Sequence, residues 1–113
     1  MVKQNAVFNR RFPRRFFRRG VGVLIGGKYF MAHGSEIGEG GISFKTDRAL
    51  RMGALVVISF QIPDGQFISV RAEVRNQEKG GSEAVYGCAF DNLSFDRKRE
   101  IRSFVTNRSE NEA

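Results

Sequence analysis

Between Gly20 and Phe90 turn-forming residues cut the chain into short apolar stretches at intervals of roughly ten residues, and this rhythm restricts the fold more than any other feature. Val21–Ile25, Lys28–Ile37, Gly41–Thr46, Ala54–Ile62, Phe67–Gln77 and Ala84–Phe90 are rich in the Val, Ile, Phe and Tyr that suit a pleated, half-buried surface. Gly26-Gly27, Gly38-Glu39-Gly40, Arg51-Met52-Gly53, Pro63-Asp64-Gly65 and Lys79-Gly80-Gly81 lie between them and supply the backbone angles of a reversal. In the fifth stretch Ile68, Val70, Ala72 and Val74 alternate with Ser69, Arg71, Glu73 and Arg75, so one face is core and the other is wet. About six such strands predict a sandwich or a closed barrel, and closure protects the edges of so short a chain best.

The pattern changes after Phe90. Ser94 is placed to cap a helix whose apolar positions Ile101, Phe104 and Val105 recur at three and four residues, with Arg97, Lys98, Arg99 and Arg102 on the other face. That helix is expected to cover a barrel mouth or edge. The 113 residues, 41% apolar and with eleven Phe, suit one core. The expected organisation is a flexible Arg-rich segment over residues 1–20, a barrel plus helix over 21–107, and a disordered tail over 108–113.

Several function classes fall away on composition. A lone cysteine, Cys88, permits no intramolecular disulfide and no thiolate metal cluster, which fits a reducing cytoplasm. It sits between Gly87 and Ala89 in an apolar strand and reads as a small core hydrophobe. No apolar run approaches the roughly 18 residues needed to span a bilayer, nor is there a secretory apolar region. The single histidine, His33, falls within a strand and has no evident nucleophilic partner. The expectation is a cytoplasmic protein with no membrane span, no catalytic or metal-binding residues and no cofactor.

The net charge of +7 is local. Residues 1–20 carry Lys3, Arg10, Arg11, Arg14, Arg15, Arg18 and Arg19 without an acid, and the rest of the chain is balanced. Such a distribution points to one anionic partner at one place, and polynucleotide binding along a generally basic surface is not expected. Arginine grips phosphate bidentately and stacks on bases. The stretch Asn9–Gly20 admits three readings: a solvated basic tail, an amphipathic helix with Phe8, Phe12 and Phe16 on one side, or an extended phosphate clamp pinned by its phenylalanines. Pro13 opposes the helix.

About twenty residues on, Glu36-Ile37-Gly38-Glu39-Gly40-Gly41 places acidic and glycine positions at a strand-to-strand turn. With Arg10-Arg11-Phe12-Pro13-Arg14 before it, and Val85–Ser94 leading into the helix, the chain resembles the PilZ family over residues 10 to 106. That family pairs an N-terminal RxxxR, often with a doubled first arginine, with a downstream [D/N]xSxxG. Arg10, Arg11 and Arg14 match the first motif. In the second, Gly41 matches, Glu36 stands for Asp or Asn, and Gly38 stands for Ser. A second RxxxR, Arg15 to Arg19, lies nearer the first strand and serves either the ligand or the surface.

The resemblance implies a mainly β, six-stranded antiparallel barrel with a C-terminal α-helix. It further implies cyclic di-GMP as ligand, with Arg10, Arg11 and Arg14 on phosphates and guanine edges and Glu36, Gly38 and Gly41 at a guanine. Arg75 is a candidate to stack on a guanine, or a solvated strand arginine. The implied function is a signalling domain whose arginine segment orders on binding. The alternative is a degenerate module that has lost the dinucleotide and acts on a protein partner.

Overall fold

The computed structural model describes residues 13–107. They form β1 (Arg14–Phe16), β2 (Gly20–Ile25), β3 (Lys28–Gly38), β4 (Gly41–Thr46), β5 (Leu55–Gln61), β6 (Phe67–Gly80), β7 (Glu83–Phe90) and one helix, α1 (Phe95–Thr106). Strands β3, β2, β5, β6, β7 and β4 are joined in that order by antiparallel ladders, and β4 returns to β3, so the sheet closes into a six-stranded barrel. Closure gives each of those six strands a neighbour on both sides for part of its length.

The expected strands appear with small shifts of boundary. The largest is in β6, which continues to Gly80 because Gln77, Glu78 and Lys79 pair with Tyr86, Val85 and Ala84 of β7. Their polar side chains conceal a backbone ladder, to which Gln77 Nε2 adds a side-chain hydrogen bond to the Tyr86 hydroxyl at 3.5 Å. The alternation read in this strand holds: Ile68, Val70, Ala72 and Val74 are buried and pack in one core with Val21, Val23, Ile37, Phe44, Ile58, Phe60 and Tyr86. The β2–β3 hairpin turns on Gly26 and Gly27, both at positive φ (56° and 79°), the two-residue turn whose twist matches its strands.

Helix α1 begins where expected. The Ser94 hydroxyl accepts from the Arg97 amide, and Ile101 and Val105 are buried. The β3–β4 and β5–β6 turns and the exit of β7 share one end of the barrel, and α1 lies across it. Glu100 accepts from the Gln66 amide in the β5–β6 turn, and Arg102 reaches Glu39 in the β3–β4 turn.

Residues 14–17 belong to the expected flexible segment but are strand and core here. β1 pairs antiparallel with Glu36–Gly38 of β3, on the edge whose earlier part, Lys28–His33, pairs with β2. At the joint the Phe17 amide donates to the Ser35 carbonyl and the Gly34 amide donates to the Arg19 carbonyl. Phe17 turns inward, 1% exposed, edge-on to the rings of Phe60 at 5.7 Å and Phe104 at 6.0 Å. Truncating a buried aromatic of this kind costs about 3–5 kcal/mol. Chemical denaturation of Phe17→Ala should show a loss of that size, whereas a segment only resting on the barrel would lose almost nothing.

Candidate functional site

The short strand β1 sets the arginine segment in register with the β3–β4 turn. Arg14 lies opposite Gly38, Arg15 opposite Ile37, and Phe16 opposite Glu36. Opposed residues of an antiparallel pair point the same way, so Arg14 and Phe16 share the outer face with Glu36. Arg14 Nη1 stands 3.9 Å from Glu36 Oε1, with both side chains about one-third exposed. This is a loose pair rather than a closed salt bridge. Arg10 and Arg11 lie outside the described residues.

A β-bulge makes this arrangement possible. Phe30 and Ala32 point into the barrel, and strict alternation from them would send Glu36 inward as well. Between Gly34 and Glu36 the β3–β4 ladder slips by one residue, leaving Ser35 unpaired, so Glu36 turns outward and Ile37 enters the core. The Glu36 amide is taken up by the Ser43 hydroxyl at 3.1 Å. Ser43 thus has a positioning role that the sequence reading missed. The switch from even-numbered Phe30 and Ala32 to odd-numbered Ile37 was the available signal.

The two glycines of the turn motif have different reasons. A Cβ on Gly41 would run into the carbonyl oxygen of Cys88, so the close approach of β4 to β7 requires glycine there. A Cβ on Gly38 would lie 2.8 Å from the Pro13 carbonyl oxygen and 3.2 Å from Arg14 Cγ. The chain entering β1 therefore crosses the space that a serine at position 38 would use. Arg75 is placed elsewhere on the outer face. It sits at the β6 bulge between Val74 and Asn76, with its Nε 3.5 Å from Glu73 and its side chain 61% exposed. Two strands, β7 and β4, separate β6 from β3, which puts Arg75 roughly 14 Å from Glu36.

Glu39, at the tip of the turn, has a distinct partner. Only 7% exposed, it accepts from Arg102 Nε at 2.7 Å and Nη2 at 3.0 Å, a two-point pair between the turn and α1. The Arg102 hydrogen bond holds the Glu39 carboxyl below its ordinary range against the opposing effect of burial, with the charges of Arg102 and Lys98 adding to it. Arg102, on the polar face of α1, is thus directed to the β3–β4 turn. Arg15 makes a parallel connection, donating to the Phe104 carbonyl at 2.7 Å with its guanidinium 4.1 Å from the Phe104 ring centroid. Burial pushes the Cys88 thiol up to about 12, so it stays protonated and acts as the core residue expected.

A family model described as the PilZ domain matches residues 8–107. The chain belongs to the PilZ family. Among solved structures, Bacillus subtilis MotI/DgrA, an inhibitor of motility, superposes with a TM-score of 0.82 at 14% identity over 92% of this chain and 53% of its own. The PilZ domain of Escherichia coli YcgR, solved with c-di-GMP, gives 0.68 at 13% identity over 86% of this chain and 88% of its own. Borreliella burgdorferi PlzA, also in complex with c-di-GMP, gives 0.62 at 13% identity over 93% and 45%. At these identities the likeness establishes the PilZ fold. The chain spans about half the length of MotI/DgrA and PlzA. No curated protein sequence matches it. Among the described residues no helix is long and apolar enough to cross a membrane.

The depressed Glu39 pKa gives this PilZ domain a defined acid sensitivity. Its contribution to stability is complete above the unfolded carboxylate value of about 4.3 and drains away as pH falls through the folded one. Thermal melts from pH 6 down to pH 3 should therefore show a shallower acid loss in Glu39→Gln than in the unaltered protein. Arg102→Ala should lower Tm by about 5 °C at pH 7, and by progressively less as pH falls through the lowered folded value of Glu39, where the carboxylate takes up its proton.

Proposed function

We propose that the domain is a non-catalytic, cytoplasmic receptor for cyclic di-GMP. The observation that carries this reading is the register of β1 on β3, which sets Arg14 and Glu36 side by side on the outer face. The ligand offers two phosphate charges and two guanines. Arg10, Arg11 and Arg14 supply charge-assisted, bidentate contacts for the phosphates. Glu36 offers a carboxylate that accepts from the N1–H and N2–H of a guanine. Its 3.9 Å separation from Arg14 sets a carboxylate for a ligand donor beside a cation for a phosphate.

Membership of the PilZ family supports the reading, as do the complexes of PlzA and the YcgR PilZ domain with c-di-GMP. Gly38 removes one hydroxyl, and a neutral hydrogen bond is typically worth about 0.5–1.5 kcal/mol, so affinity falls without vanishing. Arg75, distant and paired with Glu73, is assigned no contact with the guanine at Glu36. Ligand capture by Arg10, Arg11 and Arg14 fixes the N-terminal segment on the barrel, and a protein partner reads that state.

Isothermal titration with cyclic di-GMP tests the proposal. The unaltered protein should give saturable heat, and Arg14→Ala and Arg10→Ala should each weaken binding about tenfold or more, as expected for lost contacts to a charged group. Absence of heat at about 100 μM protein, together with unchanged amide spectra, rejects the receptor reading. One observation favours a second reading, a PilZ module acting on a protein without the dinucleotide: the Pro13 carbonyl lies over position 38, where the family carries serine. On that reading Gly38→Ser displaces β1 as well as adding a hydroxyl, so Glu36→Asp alone is the informative restoration.

A further inference from the structure

Beside the Arg14–Glu36 pair, the outer face opens into a cleft of about 540 Å³, within the range of small-molecule sites. Phe16, Arg18, Arg19, His33, Lys45 and Glu83 line it. Phe16 is 62% exposed and carries the Arg18 guanidinium 4.9 Å from its ring centroid. An aromatic ring held in water with a planar cation over it is a stacking platform for a base. Across the cleft His33 and Lys45 stand directly opposite each other on β3 and β4. Three permanent cations face a single carboxylate, Glu83, so the cleft favours an anion. It is continuous with the site described above, since Phe16 is the register partner of Glu36.

We infer that this cleft is a second guanylate subsite, taking the half of the dinucleotide that Arg14 and Glu36 do not hold. One guanine stacks on the Phe16–Arg18 pair, and its phosphate is neutralised by Arg19 and Lys45, with His33 at the base edge. The inference rests on the cyclic di-GMP reading and extends it to the second RxxxR, Arg15 to Arg19, and to residues of the barrel wall. Arg18 and Arg19 follow the first motif, and Lys45 comes from β4, so the barrel wall itself contributes to recognition.

Titration of cyclic di-GMP into full-length Phe16→Ala, Lys45→Glu and Glu83→Gln tests this, with Arg14→Ala and Lys28→Glu as references. Phe16, Lys45, Glu83 and Lys28 stand at the surface, and matching unfolding midpoints confirm intact folds. Phe16→Ala should weaken binding at least about fivefold through lost stacking, and Lys45→Glu about tenfold or more. Glu83→Gln should strengthen binding by about twofold, because it removes the one opposing charge. Lys28→Glu, at the far hairpin, should bind as the unaltered protein does. If Arg14→Ala weakens binding but Phe16→Ala and Lys45→Glu do not, the cleft assignment is wrong and the receptor reading stands. If the unaltered protein binds nothing, both fall.

Discussion

Strand β3 is eleven residues long and β2 only six, and the structure is organised around that mismatch. Past His33 one edge of β3 runs on without β2, exposing amides and carbonyls that need partners. β1 takes them, and to do so the chain between β1 and β2 must jog, which sends Phe17 into the core and places Gly34 under the Phe17 and Arg19 carbonyls. A side chain at position 34 would meet that crossing backbone. Backbone satisfaction on one strand edge thus fixes where the arginine segment lies, and the buried Phe17 ring keeps it there.

The barrel was legible because its information is local. Turn residues and alternating apolar positions mark each strand, and Ser94 with Ile101 and Val105 marks the helix and its buried side. What escaped was non-local. The extension of β6 past Gln77 to Gly80 depends on β7 lying alongside, and nothing in Glu78-Lys79-Gly80 by itself signals a strand. β1 was legible only as one of three readings, an extended segment pinned by phenylalanines: Arg14-Arg15-Phe16 is too short and too charged to announce a strand, and becomes one only beside the open edge of β3.

The candidate site shows the same division. Arg14, Glu36 and Gly38 were readable as motif positions, and the fold brings them together. Their orientation was not readable, because the bulge at Ser35 decides whether Glu36 meets solvent or core. Gly41 was grouped with the ligand residues, yet its surroundings give it a packing reason in the carbonyl of Cys88. Glu39 and Arg102 lie 63 residues apart, and charges so separated reveal a pairing only through the fold. Lys45 fell outside the motifs, and its place opposite His33 is visible only across the strands.

The last turns of α1 are held from two directions, by Glu39 through Arg102 and by Arg15 through the carbonyl and ring of Phe104. One attachment comes from the β3–β4 turn and the other from β1, the two elements that frame the outer-face site. The helix therefore acts as a crossbar between them. A displacement of β1 relative to the turn pulls on both attachments, so the strand's position and the helix's position are coupled through Arg15 and Arg102.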